Sequence, residues 1–220
     1  MHAAAIVAAA GSGSRLGADR PKALVPLAGR PLVCWAVDGL LAGGVTDVVV
    51  TVPPAERDAF AAALPAGVRL VDGGATRTAS VRAGLAAAGP DADAVLVHDA
   101  ARPLTPPDVV ARVLAALATG ARAVVPVLPV VDTTVVVDDD GVVADAVPRA
   151  RLRRVQTPQG FDRATLVAAY AALDDAAELT DDAAVVRAAG IPVSTVPGDE
   201  RAAKVTVPHD LTLAELQVAR

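Results

Sequence analysis

Cysteine and aromatic residues are scarce in this chain of 220 residues. The single cysteine, Cys34, excludes an internal disulfide framework and any metal site built from several thiolates. It lies in the apolar segment 32–37, which predicts a core residue without chemical function. Aromatic residues make up 2% of the sequence, so platforms on which nucleic-acid bases stack are not expected.

Positive charge and long apolar runs are also in short supply. Lysine and arginine together number 20 against 25 acidic residues, and the net charge of −5 disfavours a nucleic-acid scaffold. No apolar run approaches the roughly 18 residues of a spanning helix. The apolar run 3–10 lacks the preceding Lys or Arg of a signal peptide. We therefore expect a cytoplasmic protein without a nucleic-acid or membrane partner.

The sequence does contain a regular alternation of apolar strands and amphipathic helices. Such alternation predicts one α/β domain over residues 1–220, with a mostly parallel sheet and helices on both faces. The predicted strands are 3–8, 45–52, 68–71, 94–98, 121–127 and 191–196. The predicted helices are 31–41, 55–64, 76–88, 107–118, 163–173, 181–189 and 210–219.

The alternation breaks at residues 130–150. Segments 130–137 and 142–147 are rich in β-branched residues and flank the turn sequence Asp-Asp-Asp-Gly at 138–141. This pattern predicts a β-hairpin, whose apolar side chains need a partner because an isolated hairpin is marginally stable in water. Two interpretations stay open: packing on its own domain, or an arm that pairs with another subunit.

A glycine-rich loop follows the first predicted strand. Residues 9–17 read Ala-Ala-Gly-Ser-Gly-Ser-Arg-Leu-Gly, and Lys22 comes shortly after. Glycines at such a turn present backbone N–H groups to an anion, and the cations Arg15 and Lys22 suggest a polyphosphate. By itself, however, the loop is equally consistent with an ordinary strand-to-helix turn.

Two better-known phosphate motifs do not fit this loop. The dinucleotide fingerprint needs a third glycine at position 16, where Leu16 stands, and an acid after the second strand, which instead ends in prolines. The Walker A pattern needs Gly-Lys-Ser/Thr, which is absent.

A second candidate site is Val-His-Asp-Ala-Ala-Arg-Pro at 97–103. Asp99 ends a predicted strand, where a carboxylate could hold Mg²⁺ together with phosphate oxygens. Alternatively, Asp99 caps a turn and pairs with Arg102. His98 could be a base, but a histidine at a strand end is more often packed or hydrogen-bonded. Segment 156–161 is predicted as a polar loop, and Lys204 alone would be a solvated surface lysine.

Together these segments resemble the 2-C-methyl-D-erythritol 4-phosphate cytidylyltransferase family. The matching motifs cover nearly the whole chain in order, and they are far more specific together than singly. They are the glycine-rich loop at 9–17, Pro-Lys at 21–22, segment 71–81, the His-Asp-Ala-Ala-Arg-Pro segment, Asp-Thr at 132–133, Gln-Thr-Pro-Gln-Gly-Phe at 156–161, Leu-Thr-Asp-Asp at 179–182 and Lys-Val-Thr at 204–206.

The resemblance implies a Rossmann-like sheet and transfer of a cytidylyl group from CTP to a sugar-alcohol phosphate. It implies catalytic roles for Arg15, Lys22 and Lys204, and a Mg²⁺ ion, or another divalent cation, on Asp99. It also implies a homodimer in which Thr133 and Arg149 of the arm complete the neighbouring site. The substrate-binding residues that it implies are Ala10, Gly11, Gly13, Gly74, Ser80, Arg102, Thr133, Arg149 and Thr157.

Two other functions are kept as alternatives. A related polyol-phosphate cytidylyltransferase, such as one for ribitol 5-phosphate, shares the CTP-binding motifs and would differ in the arm and the sugar pocket. A catalytically inactive dimeric binding protein is disfavoured because Arg15, Lys22, Asp99 and Lys204 are all present.

Overall fold

The computed structural model describes residues 1–11, 20–174 and 179–219. In these ranges the strands are β1 (Ala3–Ala8), β2 (Pro26–Leu27), β3 (Arg30–Pro31), β4 (Asp47–Val52), β5 (Arg69–Asp72), β6 (Ala94–Asp99), β7 (Ala123–Pro129), β8 (Val135–Val137), β9 (Val143–Ala146), β10 (Arg153–Val155), β11 (Gln159–Asp162) and β12 (Ser194–Pro197). The helices are α1 (Leu32–Ala42), α2 (Arg57–Ala63), α3 (Arg77–Ala87), α4 (Pro107–Ala118), α5 (Arg163–Ala172), α6 (Asp182–Ala188) and α7 (Pro208–Val218). None of the helices in this part of the chain is long and apolar enough to cross a membrane.

The central sheet runs in the order β10-β7-β11-β6-β1-β4-β5, with β12 paired to β7. Neighbouring strands are parallel in the pairs β1–β4, β1–β6, β4–β5 and β7–β12. β11 is antiparallel to both β6 and β7, and β10 is antiparallel to β7. The mostly parallel sheet predicted from the sequence is therefore confirmed.

The core has two layers because successive residues of a buried strand point to opposite faces of the sheet. In β1, Val7 joins a cluster with side chains of α1, α2 and α4, whereas Ile6 joins a cluster with α3, α5 and α6. Helices thus cover both faces, which explains why β1 is a continuous apolar run. Cys34 is buried in the first cluster, as predicted, and its thiol donates to the Ala63 carbonyl.

One segment predicted as a loop is a strand. β11 begins inside the segment 156–161 and ends at Asp162, and its residues 159–161 are buried between β6 and β7. Its sequence, Gln-Gly-Phe-Asp, has no apolar run from which a strand could be predicted. Gly160 is required by packing, since a Cβ atom there would lie 2.3 Å from Cγ1 of Val113. The loop prediction for 159–161 was therefore wrong.

The predicted hairpin forms a separate two-stranded sheet of β8 and β9. Asp138 closes its turn, since Oδ1 accepts hydrogen bonds from the backbone N–H groups of Asp140 and Val142. The side chains of the hairpin stay largely exposed, Val143 at 60% among them. The structure therefore does not show the hairpin packed on its own domain.

Candidate active site

The candidate site lies where the strand order reverses. β1 has β4 on one side and β6 on the other, and Ala8 at the end of β1 is directly opposite Asp99 at the end of β6. In open α/β sheets, ligands bind beyond the carboxyl ends of the strands at such a point. A cavity of about 500 Å³ opens there, lined by Ala8, Ala9, Ala10, Gly11, Lys22, Ala23, Gly74, Ala75, Thr76, Arg77, Ser80, Asp99, Ala100, Ala101, Lys204 and Thr206.

One wall of the cavity is built from small residues. A Cβ atom on Gly73 would lie 2.5 Å from the Cβ of Ala10, so the two loops can approach only because residue 73 is glycine. Ser80 Oγ accepts a hydrogen bond from the Gly74 N–H (3.1 Å) and donates to the Thr76 carbonyl (2.9 Å). The structure thus brings Ala10, Gly74 and Ser80, three of the substrate-binding residues that the resemblance implies, to one cavity.

Another part of the cavity lining carries charge. Lys204 Nζ donates to Asp99 Oδ2 at 2.8 Å, and Arg77 Nη2 lies 3.7 Å from Asp99 Oδ1. Burial by itself would raise the Asp99 pKa, but the charges of Lys204, Arg77 and Arg102 outweigh it and lower the pKa to about 2. Asp99 is therefore ionised at neutral pH. Lys22 lines the same cavity from a short 3₁₀ turn, Lys22–Leu24.

The position of Lys204 depends on residues whose role the sequence did not reveal. The amide of Gln156 is buried, donating to the Asp199 carbonyl (2.8 Å) and accepting from the Asp199 N–H (3.0 Å). Arg102 Nη1 donates to the Ala202 carbonyl at 2.7 Å. The Val205 N–H donates to the Ala101 carbonyl at 2.8 Å, which ties the Lys204 segment to the loop after β6.

His98 and Thr157 lie behind Asp99 and are not among the residues that line the cavity. The Arg102 carbonyl can only accept, so His98 Nε2 carries the ring proton and donates to it at 3.3 Å. Nδ1 of the neutral ring then accepts from the Thr157 hydroxyl (2.8 Å), whose oxygen also accepts from the Asp99 N–H (3.1 Å). Burial lowers the His98 pKa to about 4, so the imidazole is neutral at pH 7. His98 is thus packed and hydrogen-bonded rather than placed as a base.

The remaining predicted site residues fall into three places. The Arg102 guanidinium donates hydrogen bonds to the backbone carbonyls of Ala202 and Val155. Thr133 and Arg149 are exposed on the arm and do not line the cavity, and Arg149 Nη1 donates to the Val131 carbonyl. Gly13 and Arg15 lie outside the described residues, so the structure gives no position for either.

The carboxylate of Asp99 fits a site for a divalent cation that is held partly by the substrate. No group of three or more His, Cys, Asp or Glu side chains within the described ranges could hold an ion by itself. Mg²⁺ is commonly bound through one or two carboxylates together with substrate phosphates and water. A single ionised carboxylate beside a cavity with several cations is compatible with an ion that arrives with a polyphosphate.

Small residues, cations and one carboxylate at the switch point of the sheet suit the binding of a polyphosphate with a divalent cation. Comparison with known proteins identifies the enzyme class. The family model described as 2-C-methyl-D-erythritol 4-phosphate cytidylyltransferase matches residues 3–220. The chain belongs to that family.

Individual relatives agree with this assignment. The chain is 56% identical over 219 residues to the 2-C-methyl-D-erythritol 4-phosphate cytidylyltransferase of Nocardia farcinica, covering 98% of this chain and 94% of the relative. It is 52% identical to the protein of that name from Saccharopolyspora erythraea, with full coverage of both. The crystal structure of the Thermus thermophilus protein of that name superposes with a TM-score of 0.83 at 40% identity, again with full coverage of both chains.

Proposed function

We propose that this chain transfers the cytidylyl group of CTP to 2-C-methyl-D-erythritol 4-phosphate and releases pyrophosphate, a step in non-mevalonate isoprenoid biosynthesis. Family membership supports the identity of the substrates. The observation in the structure that supports the chemistry is the ionised Asp99 held between Lys204 and Arg77 on one cavity wall. Because both substrates are charged metabolites, we also propose a cytoplasmic location.

In the reaction, a phosphate oxygen of the acceptor attacks the α-phosphorus of CTP. The new P–O bond forms as the bond to the bridging α–β oxygen breaks, and pyrophosphate leaves with that electron pair. No general base is required, since the attacking phosphate is already ionised at pH 7. Catalysis then depends on positioning and on neutralising charge.

The cations of the cavity are suited to that task. Lys22, together with Arg15, would stabilise charge on the α-phosphate and the leaving pyrophosphate. Lys204 would bridge the α-phosphate and the incoming phosphate. Ala10, Gly74 and Ser80 would contact the cytosine through backbone groups and one hydroxyl, while Gly11 and Gly13 would present N–H groups to the triphosphate.

A divalent cation fits beside these groups. Asp99 would be its ligand from the protein, and Mg²⁺ would supply further charge neutralisation on the phosphates when bound. Asp99 Oδ2 also accepts a hydrogen bond from Lys204 Nζ at 2.8 Å, so the carboxylate orients that ammonium group as well.

The acceptor end of the site would come from a second copy of the chain. Thr133 and Arg149 are exposed and belong to the arm, most of whose valines are also exposed in the described structure. We propose a homodimer in which the arm of one subunit reaches the cavity of the other. Arg149 would grip the acceptor phosphate with its planar fork, and Thr133 would offer a hydroxyl to the polyol.

Pyrophosphate release with CTP and each of two acceptors tests the assignment. We expect kcat/KM for 2-C-methyl-D-erythritol 4-phosphate to exceed that for ribitol 5-phosphate by at least about a hundredfold, because unpaired polar groups penalise a wrong polyol. Equal or reversed preference would instead identify the chain as a related polyol-phosphate cytidylyltransferase. No turnover with either acceptor would support an inactive binding protein.

A further inference from the structure

A buried carboxylate outside the cavity is linked to its charged wall. Asp182, the first residue of α6, is completely buried. Its Oδ1 accepts a hydrogen bond from Tyr170 Oη on α5, and its Oδ2 accepts one from Arg77 Nη2 on α3, both at 2.6 Å. A buried charge is tolerated only when it is paired, and here both oxygens have a donor.

The surroundings of Tyr170 and Arg77 keep both side chains protonated. Burial and the neighbouring Asp182 raise the Tyr170 pKa, so the phenol remains a donor. Burial by itself would lower the Arg77 pKa, but Asp182 outweighs this effect and the pKa is raised. Tyr170, Asp182 and Arg77 therefore form one hydrogen-bonded network.

Arg77 connects this hydrogen-bonded network to the cavity. It begins α3, its side chain is 32% exposed, and it lines the cavity. The same Nη2 that donates to Asp182 lies 3.7 Å from Oδ1 of Asp99, whose Oδ2 accepts from Lys204. The Asp99 carboxylate thus has a cation on each oxygen, and one of those cations is held from behind by Asp182.

We propose that Asp182 is a positioning residue for cytidylyl transfer: it fixes the Arg77 guanidinium, which in turn orients Asp99 toward Lys204. This inference rests on the proposed function and adds to it the second aspartate of the Leu-Thr-Asp-Asp segment. Tyr170 donates to the other carboxylate oxygen of Asp182, so the hydrogen-bonded network extends from α5 to the cavity wall. A free arginine at the start of α3 would have many rotamers, most of which would leave Asp99 Oδ1 without its cation.

The test is a double-mutant cycle on pyrophosphate release, normalised to folded protein. We expect Asp182→Asn to lower kcat/KM for CTP about tenfold, and to cause less than about a twofold further loss in the Arg77→Gln background. Equal losses in both backgrounds would overturn the inference, because Asp182 would then act independently of Arg77. Wild-type kinetics in Asp182→Asn would also overturn it.

Two further variants keep the test decisive. Tyr170→Phe retains the Asp182–Arg77 pair and removes one hydrogen bond, so we expect a smaller loss, about threefold, even if Asp182→Asn does not fold. An unchanged rate in Tyr170→Phe, with Asp182→Asn unfolded, would assign the cluster to stability alone.

Asp47→Asn breaks an ion pair with Arg69 at the opposite end of the sheet and should leave the kinetics unchanged. Failure of the wild type to turn over CTP would instead refute the proposed function.

Discussion

The cleft around Asp99 and the arm at 130–150 are built in opposite ways. Asp99 has charged partners from α3 and from the segment before α7, and its backbone N–H is held by Thr157. The arm contacts itself through β8 and β9, while most of its valines and Arg149 remain exposed. Residues proposed to act within their own subunit are held in place by that subunit, whereas residues proposed to act on a neighbour are displayed on the surface.

Removing the arm should have the largest effect. We expect deletion of 134–147 behind a short turn to give a folded monomer that no longer turns over the acceptor, because Thr133 and Arg149 would lose their placement on the neighbouring site. Light scattering and pyrophosphate release measure the two consequences. As a control, Val135→Thr with Val137→Thr keeps the hairpin and removes apolar surface. A deletion variant that still dimerises and retains activity would refute the arm interpretation.

His98, which is buried behind Asp99, should make the stability of the protein depend on pH. Its pKa of about 4 in the folded protein lies below the ordinary value of 6.5, so the unfolded chain binds more protons between these pH values. Stability should therefore fall as the pH drops from 6.5 to 4, by about 3 kcal/mol from this group. Urea unfolding at pH 7 and pH 4.5 measures it. His98→Gln, which cannot titrate, should lose most of this slope; a variant with the wild-type slope would contradict the assignment.

The lysines of the cleft should matter chiefly for rate. We expect Lys22→Ala and Lys204→Ala each to lower kcat/KM at least about tenfold, a loss of roughly 1.4 kcal/mol of transition-state stabilisation. Lys22→Ala should melt near the wild-type temperature because its side chain is partly exposed, whereas Lys204→Ala should melt lower because it takes a cation from the mostly buried Asp99. Steady-state kinetics and thermal melts separate the two effects. Folded variants with wild-type turnover would remove these residues from the proposed mechanism.

The contrast between the cleft and the arm also explains which features could be predicted from the sequence. The hairpin was predictable because Asp-Asp-Asp-Gly between β-branched segments is a local signal. Asp99 was also predictable, since it ends an apolar strand in a parallel sheet. Gln156 and Asp182 were not assigned roles, because their partners are distant in sequence: Gln156 bonds Asp199, and Asp182 bonds Arg77 across 105 positions. β11 was missed because neighbouring elements, rather than its own residues, make it a strand.

The smallest predicted effect tests which part of the cleft binds metal. Asp99→Asn removes one hard anionic ligand, so we expect the Mg²⁺ midpoint of activity to rise several-fold while CTP binding without metal changes less. Lys204→Ala is the matched control: it removes the partner of Asp99 Oδ2 at 2.8 Å and keeps the carboxylate, so its midpoint should stay near that of the wild type. Mg²⁺ titrations of pyrophosphate release and calorimetry with CTP provide the two measurements. If the Asp99→Asn midpoint does not move, Asp99 serves only to orient Lys204, and the cation must be held by the phosphates and water without it.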